Sequence, residues 1–411
     1  MGTSAGKPAS GMTEERLDTR PRQMAPGPGG TSVLCAGGTG GHMVPAHCLA
    51  LEVMARGHKV HLVTDERGLR FPGLFAGVAI TRVDAASTGR SGWRALPQVA
   101  LSIWRGRAAA RKLFKQIRPR AVIGFGGYPA LPGLLAGLSL YLPCLIHEQN
   151  AVLGRTNRYL APRVRAIATS FAQVRRMEGS WNRRAHFIGN PVRPEVLAAR
   201  GVKYDENAAG IKILVTGGSQ GAAVLDGVVP AAMKLLAAHQ RAQISVTHQC
   251  RGEDRGAMLA AYRAAGIEPT IAAYFPDLPA EMSSSHIVIA RSGASTVAEL
   301  AVMGRPSILV PLPAATDDHQ ADNAAALAAA GGAQMIRQNE FTPERLAEAL
   351  TGWLADRKGL ADAAAAARAA STSGLSALIA VEVTSTAALA TFSGFWPMKM
   401  VMPFLRSPST T

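Results

Sequence analysis

The residues best placed to do chemistry lie in short glycine-rich stretches. AGGTGGH, Ala36 to His42, sets four glycines and a threonine ahead of a histidine. VTGGSQGA, Val215 to Ala222, repeats the glycine pattern about halfway along the chain. Glycine lets a backbone approach an anion closely and offer N–H donors, and a helix that follows adds its positive N-terminal end. One such loop is equally well explained as a tight strand–helix turn. Two, at equivalent places in two halves of a chain, point to a donor carrying a diphosphate and to a second anionic partner. Neither loop fits the dinucleotide pattern GxGxxG well. His42 stands at the lip of the first loop, and an imidazole titrates near neutral pH. Its position suits either a proton carrier or a side chain that orients the loop.

Further polar stretches follow apolar runs. HEQN, His147 to Asn150, is not a zinc motif, because a second histidine would be needed at position 151, where Ala151 stands. GNPVR, Gly189 to Arg193, sets a guanidinium where two prolines break the chain, suited to bidentate contact with a phosphate. ARSGASTVAEL, Ala290 to Leu300, opens a helix with small and hydroxylated residues, a site for an anion or for uracil and ribose. Glu299 lies one turn further in, able to accept from ribose hydroxyls. PAATDDHQADNA, Pro313 to Ala324, is a polar loop entering a helix. Taken singly, Glu299 reads as a first-turn helix acid and Gln320 as a solvated residue. The TDD at 316–318 is the nearest approach to a metal-binding DxD and reads as loop, so neither a metal site nor a cofactor is expected.

Strand-like runs at SVLCAG, KVHLVT, AVIGFG, PCLIHE and RAIATS alternate with Ala-rich helical segments, and the pattern restarts at IKILVT, AQISVTHQC, SHIVIARSG and RPSILVP. This is the signature of parallel α/β sheets. Two Rossmann-like domains facing a cleft are expected, joined near residues 189–196. The divisions are a disordered leader over 1–30, an N-terminal domain over 31–196, a C-terminal domain over 197–370 and a divergent tail over 371–411. The leader has no apolar core of a signal peptide. Cys35, Cys48, Cys144 and Cys250 form no CxxC pair and read as small buried hydrophobes of a reduced, cytosolic chain.

The charge is lopsided. Up to Val196 there are 27 Lys and Arg against 10 Asp and Glu, and from Leu197 on 17 against 18. One half is therefore expected to face a polyanion. Nucleic acid would call for basic residues interleaved with aromatics, and only 5% of residues are aromatic, so no nucleic-acid partner is expected. Gly92 to Arg120 suits an anionic membrane surface instead. Trp93, Leu96, Val99, Leu101, Ile103, Trp104, Leu113 and Phe114 supply apolar and interfacial side chains, and seven cations with no acid fill Arg105 to Arg120. The alternative is a helix whose apolar face packs inward.

AGGTGGHMVPA, GFGGYPA, HEQNAVLGRTNR, GNPVR, VTGGSQGA and ARSGASTVAELAVMGRPSILVPLPAATDDHQADNA, in this order and spacing over about residues 31–370, resemble the MurG family of bacterial peptidoglycan glycosyltransferases. The resemblance implies the two-domain GT-B fold. It implies inverting transfer of N-acetylglucosamine from UDP-N-acetylglucosamine to the muramoyl C4 hydroxyl of lipid I, forming lipid II at the cytoplasmic face of the inner membrane. Matched motif by motif, the implied donor contacts are Thr39, Gly40, Gly41, Asn150, Arg193, Ser219, Phe275, Ala294, Ser295, Thr296, Val297, Ala298, Glu299 and Gln320. His42 becomes the candidate general base for the acceptor hydroxyl, with Glu148 as its rival. The chain departs from the family at Ala130, where relatives often carry serine, and in its leader and tail. A UDP-N-acetylglucosamine 2-epimerase or a lipid or antibiotic glycosyltransferase would share the fold, but the HEQN…GRTNR block favours the lipid I enzyme.

Overall fold

The computed structural model describes residues 30–85, 96–218, 221–252 and 255–373; the expected leader up to residue 29, Trp93, Ser219 and the tail beyond Ser373 lie outside these. The first sheet has seven parallel strands: β1 (Thr31–Cys35), β2 (Lys59–Thr64), β3 (Ala79–Arg82), β4 (Ala121–Gly124), β5 (Cys144–Glu148), β6 (Ala166–Thr169) and β7 (Ala185–Phe187), in the order β3-β2-β1-β4-β5-β6-β7. The second has six: β8 (Ile211–Thr216), β9 (Ile244–Gln249), β10 (Thr270–Ala272), β11 (Ile287–Ala290), β12 (Ser307–Leu309) and β13 (Ala333–Met335), in the order β10-β9-β8-β11-β12-β13. Both orders reverse direction beside their first strand, between β1 and β4 and between β8 and β11. Ligands of doubly wound sheets bind in the crevice outside the carboxyl ends at that reversal. The GT-B architecture expected from the sequence is the one observed.

The central strands are buried on both faces, as parallel strands covered by helices must be. β4, β5 and β11 expose no residue. The covering helices of the first sheet include α1 (Gly40–Ala55), α2 (Leu96–Ile117), α3 (Gly127–Ser139) and the short α4 (Arg155–Leu160). After α5 (Pro194–Ala199) come α6 (Ala223–Leu235), α7 (Ala238–Arg241), α8 (Arg255–Ala264), α9 (Leu278–Ser284), α10 (Ala294–Met303), α11 (His319–Ala329), α12 (Pro343–Ala355) and α13 (Arg357–Ser373). α10 is the most enclosed of these: Val297, Leu300, Ala301, Val302 and Met303 are fully buried. Truncating Leu300 to Ala would therefore cost about 3 kcal/mol.

α2 takes its orientation from its helical period. Val99 and Phe114 are buried and Leu113 and Ile117 pack on the core of the first sheet, whereas Leu101 and Trp104 face solvent, Trp104 with 64% of its surface exposed. The expectation that the whole apolar set of this stretch is interfacial is thus corrected. Residues three and four apart share one side of a helix, and that side here covers α3.

The two domains meet along a polar seam. Asn323 of α11, fully buried, accepts from the Ala151 backbone N–H at 2.9 Å and donates to Asn150 Oδ1 at 3.1 Å and to the Ser292 carbonyl at 3.2 Å. At the rim, Asp317 takes guanidinium donors from Arg158 at 3.2 Å and Arg176 at 2.9 Å, with Arg155 at 4.0 Å, and Arg175 pairs with Asp322.

Candidate active site

The first glycine loop joins β1 to α1. Its shape is set by a residue the sequence did not single out. Asp65, buried at the end of β2, accepts from the Gly38 N–H at 3.2 Å, the Gly68 N–H at 3.0 Å and Arg67 Nε at 2.8 Å. Gly37 has to be glycine: a Cβ there would lie 2.5 Å from Asp65 Oδ1 and 2.6 Å from Pro129. Thr39 caps α1 by position only. Its side chain accepts no capping hydrogen bond, and its carbonyl takes the His42 and Met43 N–H groups. The Gly40 and Gly41 N–H groups, in the first turn, are thus outside the intrahelical ladder.

His42 follows in that first turn. Its ring lies against a second loop, GFGG, where a Cβ on Gly127 would meet the imidazole at 3.3 Å. Burial lowers its pKa to about 4, opposed by the Gly37 carbonyl and helped by His319 and Arg67, and Nδ1 is buried with no partner. His319 begins α11, so the imidazole faces the C-terminal domain. The ring is therefore neutral at physiological pH and keeps a lone pair, but it is a weaker proton acceptor than the near-neutral imidazole expected from the sequence.

Beneath it, His147 ends β5. Nδ1 accepts from Gln149 at 2.9 Å, which leaves Nε2–H to donate to the Gly189 carbonyl at 3.4 Å, with Ser170 Oγ at 3.2 Å. Burial lowers this pKa to about 4 as well. Glu148, the rival base, is fully occupied. Its two oxygens accept from the Asn150 N–H at 3.0 Å, Asn150 Nδ2 at 3.1 Å, the Gly154 N–H at 2.9 Å and Asn157 Nδ2 at 2.8 Å. Four donors from one loop make it the anchor of HEQNAVLGRTN. Asn150, expected against the donor, has its Nδ2 on Glu148 and its Oδ1 in the seam to Asn323.

On the C-terminal side, Arg193 and Glu299 face each other. Arg193 Nε and Nη2 donate to Glu299 Oε1 at 3.1 Å and Oε2 at 3.2 Å. Glu299 is 6% exposed, and its charge and that of Arg193 are felt at Cys48 on α1, so the pair sits where α1 and α10 meet. The sequence suggested a phosphate for Arg193 and ribose for Glu299, and each keeps spare capacity for that role. A guanidinium has five donors and a carboxylate about four acceptor sites, of which this contact uses two of each. α10 begins at Ala294 behind Gly293, which offers no capping side chain, and Val297 is the first residue to bond back, to the Gly293 carbonyl. The N–H groups of Ala294, Ser295 and Thr296 are left to the cleft, and Ser295 Oγ is buried without a partner. Val297 and Ala298 are core residues behind them. Gln320 binds the Leu312 N–H through Oε1 at 3.1 Å, and its carbonyl accepts from Ser292 Oγ at 2.8 Å. Phe275 is buried in the loop after β10, with β9 and β8 between that strand and β11. Asn190, next to Arg193 in GNPVR, was also missed: it is 1% exposed, yet neither its Oδ1 nor its Nδ2 has a partner.

Two domain families account for both halves of this cleft. The description "Glycosyltransferase family 28 N-terminal domain" matches residues 32–169, and "Glycosyltransferase family 28 C-terminal domain" matches residues 212–379. The chain belongs to glycosyltransferase family 28. This family-28 enzyme is 51% identical over 340 residues to a protein of Zymomonas mobilis, covering 82% of this chain and 87% of that one. It is 49% identical over 337 residues to one of Novosphingobium aromaticivorans, again covering 82% and 87%. Both are named UDP-N-acetylglucosamine–N-acetylmuramyl-(pentapeptide) pyrophosphoryl-undecaprenol N-acetylglucosamine transferase. Among solved structures, Acinetobacter baumannii MurG superposes with a TM-score of 0.72 at 29% identity, covering 88% of this chain and 99% of that one. The calicheamicin glycosyltransferase CalG4, at 13% identity and a TM-score of 0.64 over 90% of this chain and all of that one, shares the fold alone.

Proposed function

We propose that this glycosyltransferase moves N-acetylglucosamine from UDP-N-acetylglucosamine to the C4 hydroxyl of the muramoyl sugar of undecaprenyl-pyrophosphoryl muramoylpentapeptide, inverting the anomeric carbon. The observation that carries the reading is the near-50% identity, across both domains, to relatives named for this transfer. The geometry supplies roles. His42 Nδ1, neutral and unpartnered, takes the proton from the acceptor hydroxyl as its oxygen attacks the anomeric carbon. The bond from that carbon to the β-phosphate oxygen breaks, and UDP leaves with added negative charge. The open N–H groups of α10 and the remaining donors of Arg193 stabilise that charge, while the free lone pairs of Glu299 hold ribose hydroxyls. Thr39, Gly40 and Gly41 face the diphosphates from the other side, and Ser219, Phe275 and Gln320 complete the donor site. We place the division between the two domains at residues 189–196, between the stretches matched by the two family descriptions.

An acceptor on an undecaprenyl chain keeps its sugar at a bilayer, and no described helix is long and apolar enough to cross one. The surface over α2 and α3 suits docking to the anionic cytoplasmic face. Trp104 and Leu101 are exposed there, Arg111 reaches Ser139 at 3.5 Å, and Tyr141, two residues on, is 96% exposed. Each surface cation adds about 1 kcal/mol of attraction at most, so Arg111, Lys112 and Lys115 act together. Transfer of label from UDP-N-acetylglucosamine to a short-chain lipid I analogue tests the activity, and absence of labelled product would remove it. Vesicle co-sedimentation tests the surface. Binding should require anionic lipid and fall when all three cations become Gln, and equal binding to neutral vesicles would overturn it.

A further inference from the structure

At the opposite, N-terminal edge of the second sheet lies a cavity of about 460 Å³ that the transfer reaction does not use. Its walls come from the starts of β8, β9 and β11 and from the segment before β8: Lys203, Asp205, Lys212, Ser245, His286 and Arg305 among them. Three of these are cations and one is a carboxylate. Arg305 is the unusual member. It is 2% exposed, yet its guanidinium meets no carboxylate: Nη2 donates to the Val202 carbonyl at 2.7 Å, Nη1 to the Ser285 carbonyl at 3.4 Å, and Nε is buried without a partner. Tyr204 lies 5.7 Å from it, face on, and burial with Arg368 nearby brings its pKa down to about 10, so it keeps its charge at neutral pH. A buried charge without a counter-charge is costly, and this one lines a cavity whose mouth carries two exposed lysines. His286 is no rival for the anion. Its Nδ1 accepts from the Lys212 N–H at 3.0 Å and burial lowers its pKa, so the ring stays neutral.

We propose that this cavity is a second anion-binding site, taking a phosphate monoester on Arg305, Lys203 and Lys212. The volume admits a phosphate with a sugar-sized group attached, and Arg305 keeps one further N–H donor on each terminal nitrogen beyond its two carbonyl bonds. The site touches the elements of the donor half from behind. β11 runs from His286 to the loop that opens α10, and α10 ends at Met303, two residues before Arg305.

The test titrates inorganic phosphate, then glucose 6-phosphate, into the full-length protein at low salt with the cleft saturated by UDP. Calorimetry or phosphorus NMR reads the binding. Saturable binding is expected, weakened about tenfold or more in Lys203→Gln/Lys212→Gln, since each charge-assisted contact is worth at least that factor. These lysines are exposed, so that variant should fold normally, and Arg305→Lys serves as a second, buried probe. Neutral vesicles with and without phosphatidic acid separate the sources. Capture that falls in the double variant assigns the phosphate to a lipid headgroup, and unchanged capture beside saturable glucose 6-phosphate binding assigns it to a soluble ester. No saturable binding beyond UDP, or equal binding by wild type and the double variant, overturns the site.

Discussion

On the N-terminal side of the cleft the titratable groups left for chemistry are two imidazoles, His42 and His147, both pushed down to about 4 by desolvation, while the buried carboxylates of Asp65 and Glu148 are taken up by backbone and side-chain donors. On the C-terminal side they are a guanidinium and a carboxylate, Arg193 and Glu299, in bidentate contact. Both regions lie beyond the carboxyl ends of a parallel sheet reversed at its first strand. The difference is in what packs around the groups. Desolvation, opposed by backbone carbonyls, leaves the imidazoles neutral. The ion pair stands beside an uncapped helix N-terminus, where charge is retained and an anion is welcome. In the proposed reaction one half of the cleft exchanges a proton and the other holds charge.

The largest test of that division is His42→Ala. Turnover should fall by roughly 10²–10⁴-fold, with the donor KM changed far less, as steady-state kinetics would reveal. A parallel rise in donor KM would assign His42 to holding the loop against Gly126 and Gly127. Next comes Glu299→Ala, expected to raise the donor KM by roughly 10- to 100-fold through loss of a charged acceptor and of the partner that orients Arg193. Unchanged donor kinetics with an unaltered circular dichroism spectrum would remove Glu299 from the donor site.

The imidazoles also make a pH prediction. A histidine whose folded pKa lies below its unfolded value of 6.5 binds its proton later in the fold than in the unfolded chain. Stability is therefore complete above about 6.5 and declines as pH falls toward about 4, by about 1.4 kcal/mol per pH unit for each such ring. Urea midpoints at pH 7 and 5 should differ, and the difference should shrink in His147→Gln. The same midpoints at both pH values would mean the rings are not desolvated. The smallest effect belongs to the rim. Asp317→Asn loosens partly exposed guanidinium contacts and should shift the urea-derived stability by no more than about 1 kcal/mol, well below the loss from Asn323→Ala in the buried seam.

The central strands of both sheets were legible because burial on two faces writes a continuous apolar run. All four edge strands were not: β3, β7, β10 and β13 are three or four residues long, and none carries such a run. The motifs located the cleft but not the division of labour inside it. Nothing in HEQN distinguishes a carboxylate free to act from one with four donors. That depends on Gly154 and Asn157, which lie six and nine residues on and return to Glu148 only because α4 turns back over β5. Asp65 and Asn190 were illegible for a related reason, since a single polar residue acquires its meaning from the backbone brought to it. In α2 the sequence left two readings open, and the burial of Val99 and Phe114 with Leu113 and Ile117 packed on the core bears out the inward-packing one for that side of the helix.

Asn323 has a consequence in time rather than space. It accepts once and donates twice, and the Asn150 and Ser292 oxygens that it serves are both acceptors. Hydrolysis of this one amide, the slow ageing reaction of asparagine, would set a carboxylate against both. The seam would then change from adhesive to repulsive without any change in the gene. Its complete enclosure withholds the water such hydrolysis consumes.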